Sequence, residues 1–239
     1  MYYVIHRADT RGISKASWLE SRHTFSFADY YDPERMGFGV LRVLNDDIIS
    51  AGQGFPNHGH HDMEIITIPL AGAVQHEDSL GNASVVQAGE VQIMSAGKGV
   101  VHAERNASNT ETLSLLQIWI EPKVRGIAPR YEQKIFNSAH RQDRLQELVS
   151  PRQDDRALWI NQDAYLSRIS CSEKSAIAYR PHVVGHGVYL FVMQGEIRVF
   201  GEFLGVRDGV GVGDAREVSW YAEDHAEILI LEVPMEDPT

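Results

Sequence analysis

The chain has 239 residues, 43% of them hydrophobic, with a formal net charge of −11 and a sequence pI near 5.4. That is enough apolar material for one large β domain or two small ones. The acidic balance argues against phosphate-backbone binding, no run approaches the ~20 apolar residues of a membrane span, and the single cysteine, Cys171, rules out a disulfide framework.

The opening stretch MYYVIHRADTRG lacks an apolar h-region, so no secretory signal is expected and a cytoplasmic setting is the simplest reading. Beyond it, 20 Gly and 9 Pro cut the chain into short apolar runs. FGVLRVLN, EIITIPLAGAVQH, SVVQAGEVQIM and LSLLQIWIEP read as strands, with EDSLGN as a hairpin turn between two of them. One helix is predicted over Ala139 to Val149, with Ser138 as N-cap and Leu145, Leu148 and Val149 as a one-sided stripe. LSRISC, YLFVMQGEIRVF, VGVGDAREVSW and EILILEVP then read as strands again. The helix divides the chain into residues 1–136, a linker over 137–150, and residues 151–239. The parts read as distant copies: EIITIPLAGAVQ matches YLFVMQGEIRVF, and VQAGEVQIMSAG matches GVGVGDAREVSW. Short strands at regular spacing favour sandwiches or small barrels.

Two pairs of ligand-type residues stand out, His58 with His60 and His102 with Glu104. Each pair is spaced i, i+2, which on a strand puts both side chains on one face, about 6.6 Å apart. On a helix the same spacing turns them about 200° apart, so they diverge. The pairs therefore predict two strands with facing ligands, and a site of three imidazoles and one carboxylate.

These residues resemble the cupin family. Gly52, His58, His60, Glu64 and Gly72 fit the first cupin motif loosely, and Gly89, Gly99, His102 and Asn106 fit the second. The likeness is closer to pirin, a two-cupin subfamily: WLESRHTFSFADYYDPERMGFGVLRVLNDD, HGHHDMEI, GEVQIMSAGKGVVHAE, and QIWIEP with PRYEQ occur in the pirin order. The resemblance implies an all-β bicupin of two jelly-roll barrels joined by a short helical linker. It puts one ion in the N-terminal barrel, held by His58, His60, His102 and Glu104. The spacing from Glu64 to Gly72 is one residue longer than the usual cupin pattern, and in pirin the carboxylate ligand falls at Glu104. The second half lacks His-x-His and is expected to hold no metal.

Mixed N and O ligation with open positions suits Fe(II) first, with Ni, Mn, Co or Cu as alternatives; Zn would bind without redox chemistry. Some bacterial pirins cleave quercetin, so the resemblance implies a quercetin 2,3-dioxygenase acting on a flavonol and dioxygen, with Glu104 as catalytic base. The alternative it implies is a redox-sensing regulator acting through a protein partner. A monomer that touches neither nucleic acid nor membrane is expected. Asp62 and Glu64 are candidates to orient a ligand imidazole from behind. His61 is read as solvent-facing, His23 and His76 as structural, and His182, His186 and His225 as lacking useful spacing. HTFSFADYY with Trp18 reads as packing, with some rings available to line a pocket.

Overall fold

The structure, a computed structural model, describes residues 1–154 and 156–236. The last three residues of the expected second domain therefore lie outside the described residues. The first half of the chain supplies β1 (Tyr2–His6), β2 (Gly12–Lys15), β3 (Leu19–His23), β4 (Leu41–Ile49), β5 (Gly54–His60) and β6 (Glu64–Ala71). It continues with β7 (Ala73–Asp78), β8 (Ala83–Gln87), β9 (Glu90–Ser95), β10 (Val100–Asn106), β11 (Leu113–Ile120) and β12 (Arg130–Ile135). The second half supplies β13 (Gln146–Ser150), β14 (Leu158–Trp159), β15 (Tyr165–Cys171), β16 (Ser175–Tyr179) and β17 (Gly187–Gln194). It ends with β18 (Ile197–Val199), β19 (Glu202–Leu204), β20 (Gly209–Gly213), β21 (Val218–Ala222) and β22 (Ala226–Val233).

One barrel pairs the sheet β12-β9-β6-β11-β4-β3-β2 with the sheet β5-β10-β7-β8. The other pairs β1-β20-β17-β22-β15-β13-β14 with β16-β21-β18-β19, the same order position for position. The architecture is thus all-β with two cupin-type domains. Among the described residues no helix is long and apolar enough to cross a membrane.

Successive side chains on a strand alternate between faces, so each seven-stranded sheet has two. One face of each sheet joins a shared core, in which Leu44, Ile66, Ile93, Leu116 and Ile118 pack with Leu166, Tyr189, Phe191, Leu229 and Leu231. A fully buried side chain of this size contributes about 1.5–3 kcal/mol, so this core binds the barrels firmly together. The other faces look into the barrels and differ. The second barrel is filled by Ile169, Val188, Leu190, Val192, Val210, Ile228 and Ile230, with Trp220 from the opposing sheet. The first carries a polar row: His23, Asn45, Gln117, Thr67, Gln92 and Gln133 are successive cross-strand partners from β3 to β12.

Three expectations are corrected. The helix over Ala139 to Val149 does not form; a 3-10 turn at Ser138–Arg141 is followed by β13. The turn is capped by Asn137, whose side chain accepts from Ala139 N, and Asp143 takes a positive φ of 53° that stops helical continuation. Beyond it β15 needs an edge partner, and β13 supplies one with a bulge between Glu147 and Val149. The bulge lets both Leu148 and Val149 enter the shared core, while Leu145 stays 40% exposed instead of joining a stripe. Next, β1 pairs with β20, so residues 2–6 complete the sheet of the second barrel, and β13 within 137–150 belongs to it too. Finally, β6–β7 and β17–β18 occupy equivalent places, but the equivalent of β9 is β20, so the second sequence match was displaced by one strand.

Candidate metal centre

His58 and His60 lie on β5, an edge strand, where Pro56 falls in the register shift between Phe55 and His58 and so has no ladder partner to lose. The neighbouring β10 sets His102 directly across from His58, then shifts register so that Glu104 faces Phe55. Such a bulge re-aims side chains locally. The close approach needs Gly54, where a Cβ would sit 2.2 Å from the Glu104 carbonyl oxygen. Ring centroids lie 4.4 Å apart for His58 and His102, 4.8 Å for His58 and His60, and 4.9 Å for His60 and His102. Among the described residues, two groups have ligand atoms all within 4.8 Å of one another: His58, His60 and His102, and a wholly buried set of His76, His102 and Glu104.

Hydrogen bonds set the chemical state of these groups. His58 Nδ1 lies 2.8 Å from the Pro56 carbonyl oxygen, an acceptor only, so Nδ1 carries the proton and Nε2 presents its lone pair. Both ring nitrogens of His102 are buried with no hydrogen-bond partner. Burial, then the neighbouring imidazoles of His58 and His76, hold His102 down to about 3; burial, then His102 and His58, hold His60 down to about 4. Both are therefore neutral near pH 7, the form that binds a metal. Glu104 Oε1 accepts from Thr67 Oγ1 and Gln92 Nε2, each at 3.1 Å, and Oε2 accepts from Gln117 Nε2 at 2.8 Å. The polar row across the seven-stranded sheet is the cradle of this carboxylate. Neutral imidazoles, an oriented carboxylate and orphaned buried nitrogens together fit a divalent transition ion.

A cavity of about 230 Å³ opens beside His58, His60 and Glu104. Phe27, Phe55, Trp119 and Leu19 give it apolar walls, and Ser14, Ser21, His23, Asn45, Asp47 and Gln117 give it polar ones. Ser21 Oγ donates a short hydrogen bond to Asp47 Oδ1, and His23 bridges Asn45 Oδ1 at 2.9 Å and Ser14 Oγ at 2.8 Å. Burial pushes the Asp47 carboxyl up to about 7 against the bond from Ser21, with Asp46 and Glu104 adding to the rise.

Of the four residues singled out from the sequence, His58, His60 and His102 converge, while Glu104 groups with His102 and His76 and meets His58 and His60 in the lining of the cavity. Asp62 and Glu64 do not orient an imidazole of the cluster: Asp62 accepts from Gly126 N, and Glu64 accepts from Ser95 Oγ and Asn161 N between the barrels. Asp62 takes a positive φ of 44°, which breaks the alternation that would have returned it to the ligand face. His61 is exposed and pairs with Asp62. His23 lines the cavity and His76 adjoins His102, so neither is remote from the site. From the aromatic run, Phe25 enters the shared core, Phe27 reaches the cavity and Tyr31 lies 72% exposed. The residues missed were Asn45, Asp47, Thr67, Gln92 and Gln117. A single polar residue inside each apolar run, as in IITIP, VQIM and LLQIW, was the available signal.

Known proteins resemble the chain throughout. Residues 6–120 match the pirin family model, and residues 147–233 match that of the quercetinase C-terminal cupin domain. The quercetin 2,3-dioxygenase of Escherichia coli K12 is 43% identical over 230 residues, covering 96% of this chain and 98% of that protein. A putative quercetin 2,3-dioxygenase of Pseudomonas aeruginosa is 45% identical over 226 residues, covering 94% and 97%. The structure of the bacterial pirin YhhW from Escherichia coli in complex with nickel(II) superimposes with a TM-score of 0.92 at 42% identity, covering 98% of this chain and 99% of that one.

Proposed function

The chain belongs to the pirin family, and we propose that it is a metal-dependent quercetin 2,3-dioxygenase whose ion is held by His58, His60, His102 and Glu104. The observation that carries the reading is the convergence of three imidazoles beside the cavity, with both His102 ring nitrogens buried and unpartnered. A ligand lone pair buried without a donor is costly unless something else occupies it. Fe(II) is the proposed native ion, with nickel, manganese, cobalt or copper able to substitute. When bound, the ion supplies Lewis acidity that favours the ionised form of a coordinated hydroxyl, and redox chemistry toward dioxygen.

The chain's own residues do the rest. His60 and His102 stay neutral, and the Pro56 carbonyl orients His58. Glu104 is the proposed base for the flavonol 3-hydroxyl, taking the proton on Oε2 as the Gln117 amide lets go. Phe27, Phe55 and Trp119 give flat faces to an aromatic ring system. Ser14, Ser21, His23, Asn45 and Asp47 offer donors and acceptors to its remaining hydroxyls. These apolar walls also keep water from the reacting carbons.

The test pairs metal analysis with loss of quercetin absorbance on the same sample, loaded in turn with Fe(II), Ni, Mn, Co and Cu. Turnover by at least one loaded form is expected. No turnover with any metal, on protein shown to contain it, would overturn the reading.

A further inference from the structure

The strand beside β10 brings a further histidine to the cluster. In the β7–β10 ladder His76 is the direct partner of Glu104, and Asp78 the direct partner of His102. Spaced i, i+2, His76 and Asp78 share a face, and His76 Nε2 lies 3.2 Å from Asp78 Oδ2, with both side chains fully buried. Asp78 also accepts from Leu80 N, Asn82 N and Asn82 Nδ2. A carboxylate with these donors acts as acceptor toward His76, so Nε2 carries the imidazole proton and Nδ1 presents a lone pair. That Nδ1 is buried and has no hydrogen-bond partner. Tyr131 stacks on the ring at 4.6 Å and fixes its plane, and is itself held through its hydroxyl by Ser84 and Gln133.

This is how a metal-binding histidine is usually prepared: one nitrogen donates to a carboxylate, so the other is a fixed lone pair. His58 has only a backbone carbonyl in that role. Two ligands on one ion, each about 2.0–2.2 Å from it, are at most ~4.4 Å apart. The atoms of His76, His102 and Glu104 lie within 4.8 Å of one another, so small adjustments suffice. Two imidazoles and one carboxylate are also a donor set that first-row transition ions accept.

We propose that the first barrel contains a second, inner position for a divalent transition ion, made by His76, His102 and Glu104. It deepens the functional reading above, on which it rests, because His102 and Glu104 serve both positions. Sharing His102 makes the positions mutually exclusive for one ion. In the outer one the ion faces the cavity; moving inward exchanges His58 and His60 for His76 in a wholly buried setting.

Cobalt(II) binding decides it, read by the visible d–d spectrum and by metal quantification after gel filtration. The proteins are wild type, His58→Ala/His60→Ala, the same double variant with His76→Gln, and a parallel series with His58→Gln/His60→Gln as a less disruptive background. Wild type should bind one Co(II) per chain. The double variants should still bind one, about 10–100-fold more weakly and with a changed spectrum, and adding His76→Gln should abolish that binding. Double variants that keep the wild-type circular dichroism and bind no Co(II), or that bind equally well with and without His76, would overturn the inner position alone. Wild type that binds no Co(II) would overturn the functional reading and the inner position together.

Discussion

The two barrels have one strand order and opposite interiors. The strands that carry the candidate ligands, β5 and β10, correspond to β16 and β21, where Ile177, Tyr179, Val218, Trp220 and Ala222 pack into an apolar filling. Both barrels also set histidines beside a buried glutamate, and there the contrast is sharpest. In the second, Glu232 accepts from Tyr179 Oη at 2.7 Å, His182 Nδ1 at 2.8 Å, His186 Nδ1 at 3.1 Å, and the backbone N–H groups of His182 and Val183. These bonds outweigh burial and hold Glu232 down to about 2. In the first, His102 has no partner at all and His76 Nδ1 has none. Around its glutamate the second barrel pairs each histidine and becomes scaffold; the first leaves imidazole nitrogens unpartnered beside Glu104, as a site built for a ligand must.

Breaking the comparison at its centre should give the largest effect. His102→Leu is expected to abolish metal retention and quercetin turnover, measured by metal analysis and absorbance. The same change removes a buried unsatisfied group whose cost is about 1–3 kcal/mol. The metal-free variant should therefore melt higher than metal-free wild type, by about 2–4 °C per kcal/mol. A lower melting point in the metal-free comparison would show that the imidazole is structural.

The converse change belongs to the second barrel. Glu232→Ala strands the side chains of Tyr179, His182 and His186 and two backbone donors, and should destabilise by about 3–5 kcal/mol. Urea unfolding measures it. Turnover per folded molecule should stay within about twofold of wild type, since Glu232 touches neither the cavity nor the cluster.

How far the sequence reveals this contrast depends on which interactions are local. His58 with His60 and His102 with Glu104 were legible because strand alternation alone places each pair on one face. The paired barrels were legible from the family likeness and the recurrence of short apolar runs. The environment of Glu104 was not, because Thr67, Gln92 and Gln117 come from three strands and meet only through sheet register. His76 was set aside for the same reason: its distinction is the register that puts it opposite Glu104. The helix over Ala139 to Val149 failed on a similar ground. Its apolar spacing suits a helix, but the open edge of β15 is a tertiary fact that no local window contains.

The junction of the barrels is tested by pH. His6 is buried, stacks near Phe25 and Tyr189, and has Nδ1 2.8 Å from Tyr189 Oη. Burial, aided by Arg35 and opposed by Asp32, lowers it from 6.5 to about 4. Below pH 6.5 the unfolded chain binds a proton that the folded one refuses, so stability rises with pH and is lost as pH falls from 6.5 to about 4. Each decade is worth about 1.4 kcal/mol, so His6 accounts for at most about 3.5 kcal/mol of that loss. In metal-free protein, His6→Gln should flatten the pH dependence of the melting point in this window by a corresponding amount. An unchanged slope would remove His6 from the account.

The smallest expected effect is the most direct probe of the polar interior. Gln117 sits on the central strand β11, whose counterpart β22 presents Ile228 and Ile230 to its own barrel. Its amide donates to Glu104 Oε2, and its Oε1 lies 3.0 Å from Thr67 Oγ1. Gln117→Leu makes this position resemble the second barrel in one step. Losing a bond that orients a ligand carboxylate typically weakens metal binding by 10–100-fold. Competition with a chromogenic chelator should show a loss of about that size, with the fold intact by circular dichroism. If affinity is unchanged, the polar row does not position Glu104, and the difference between the interiors reduces to the imidazoles alone.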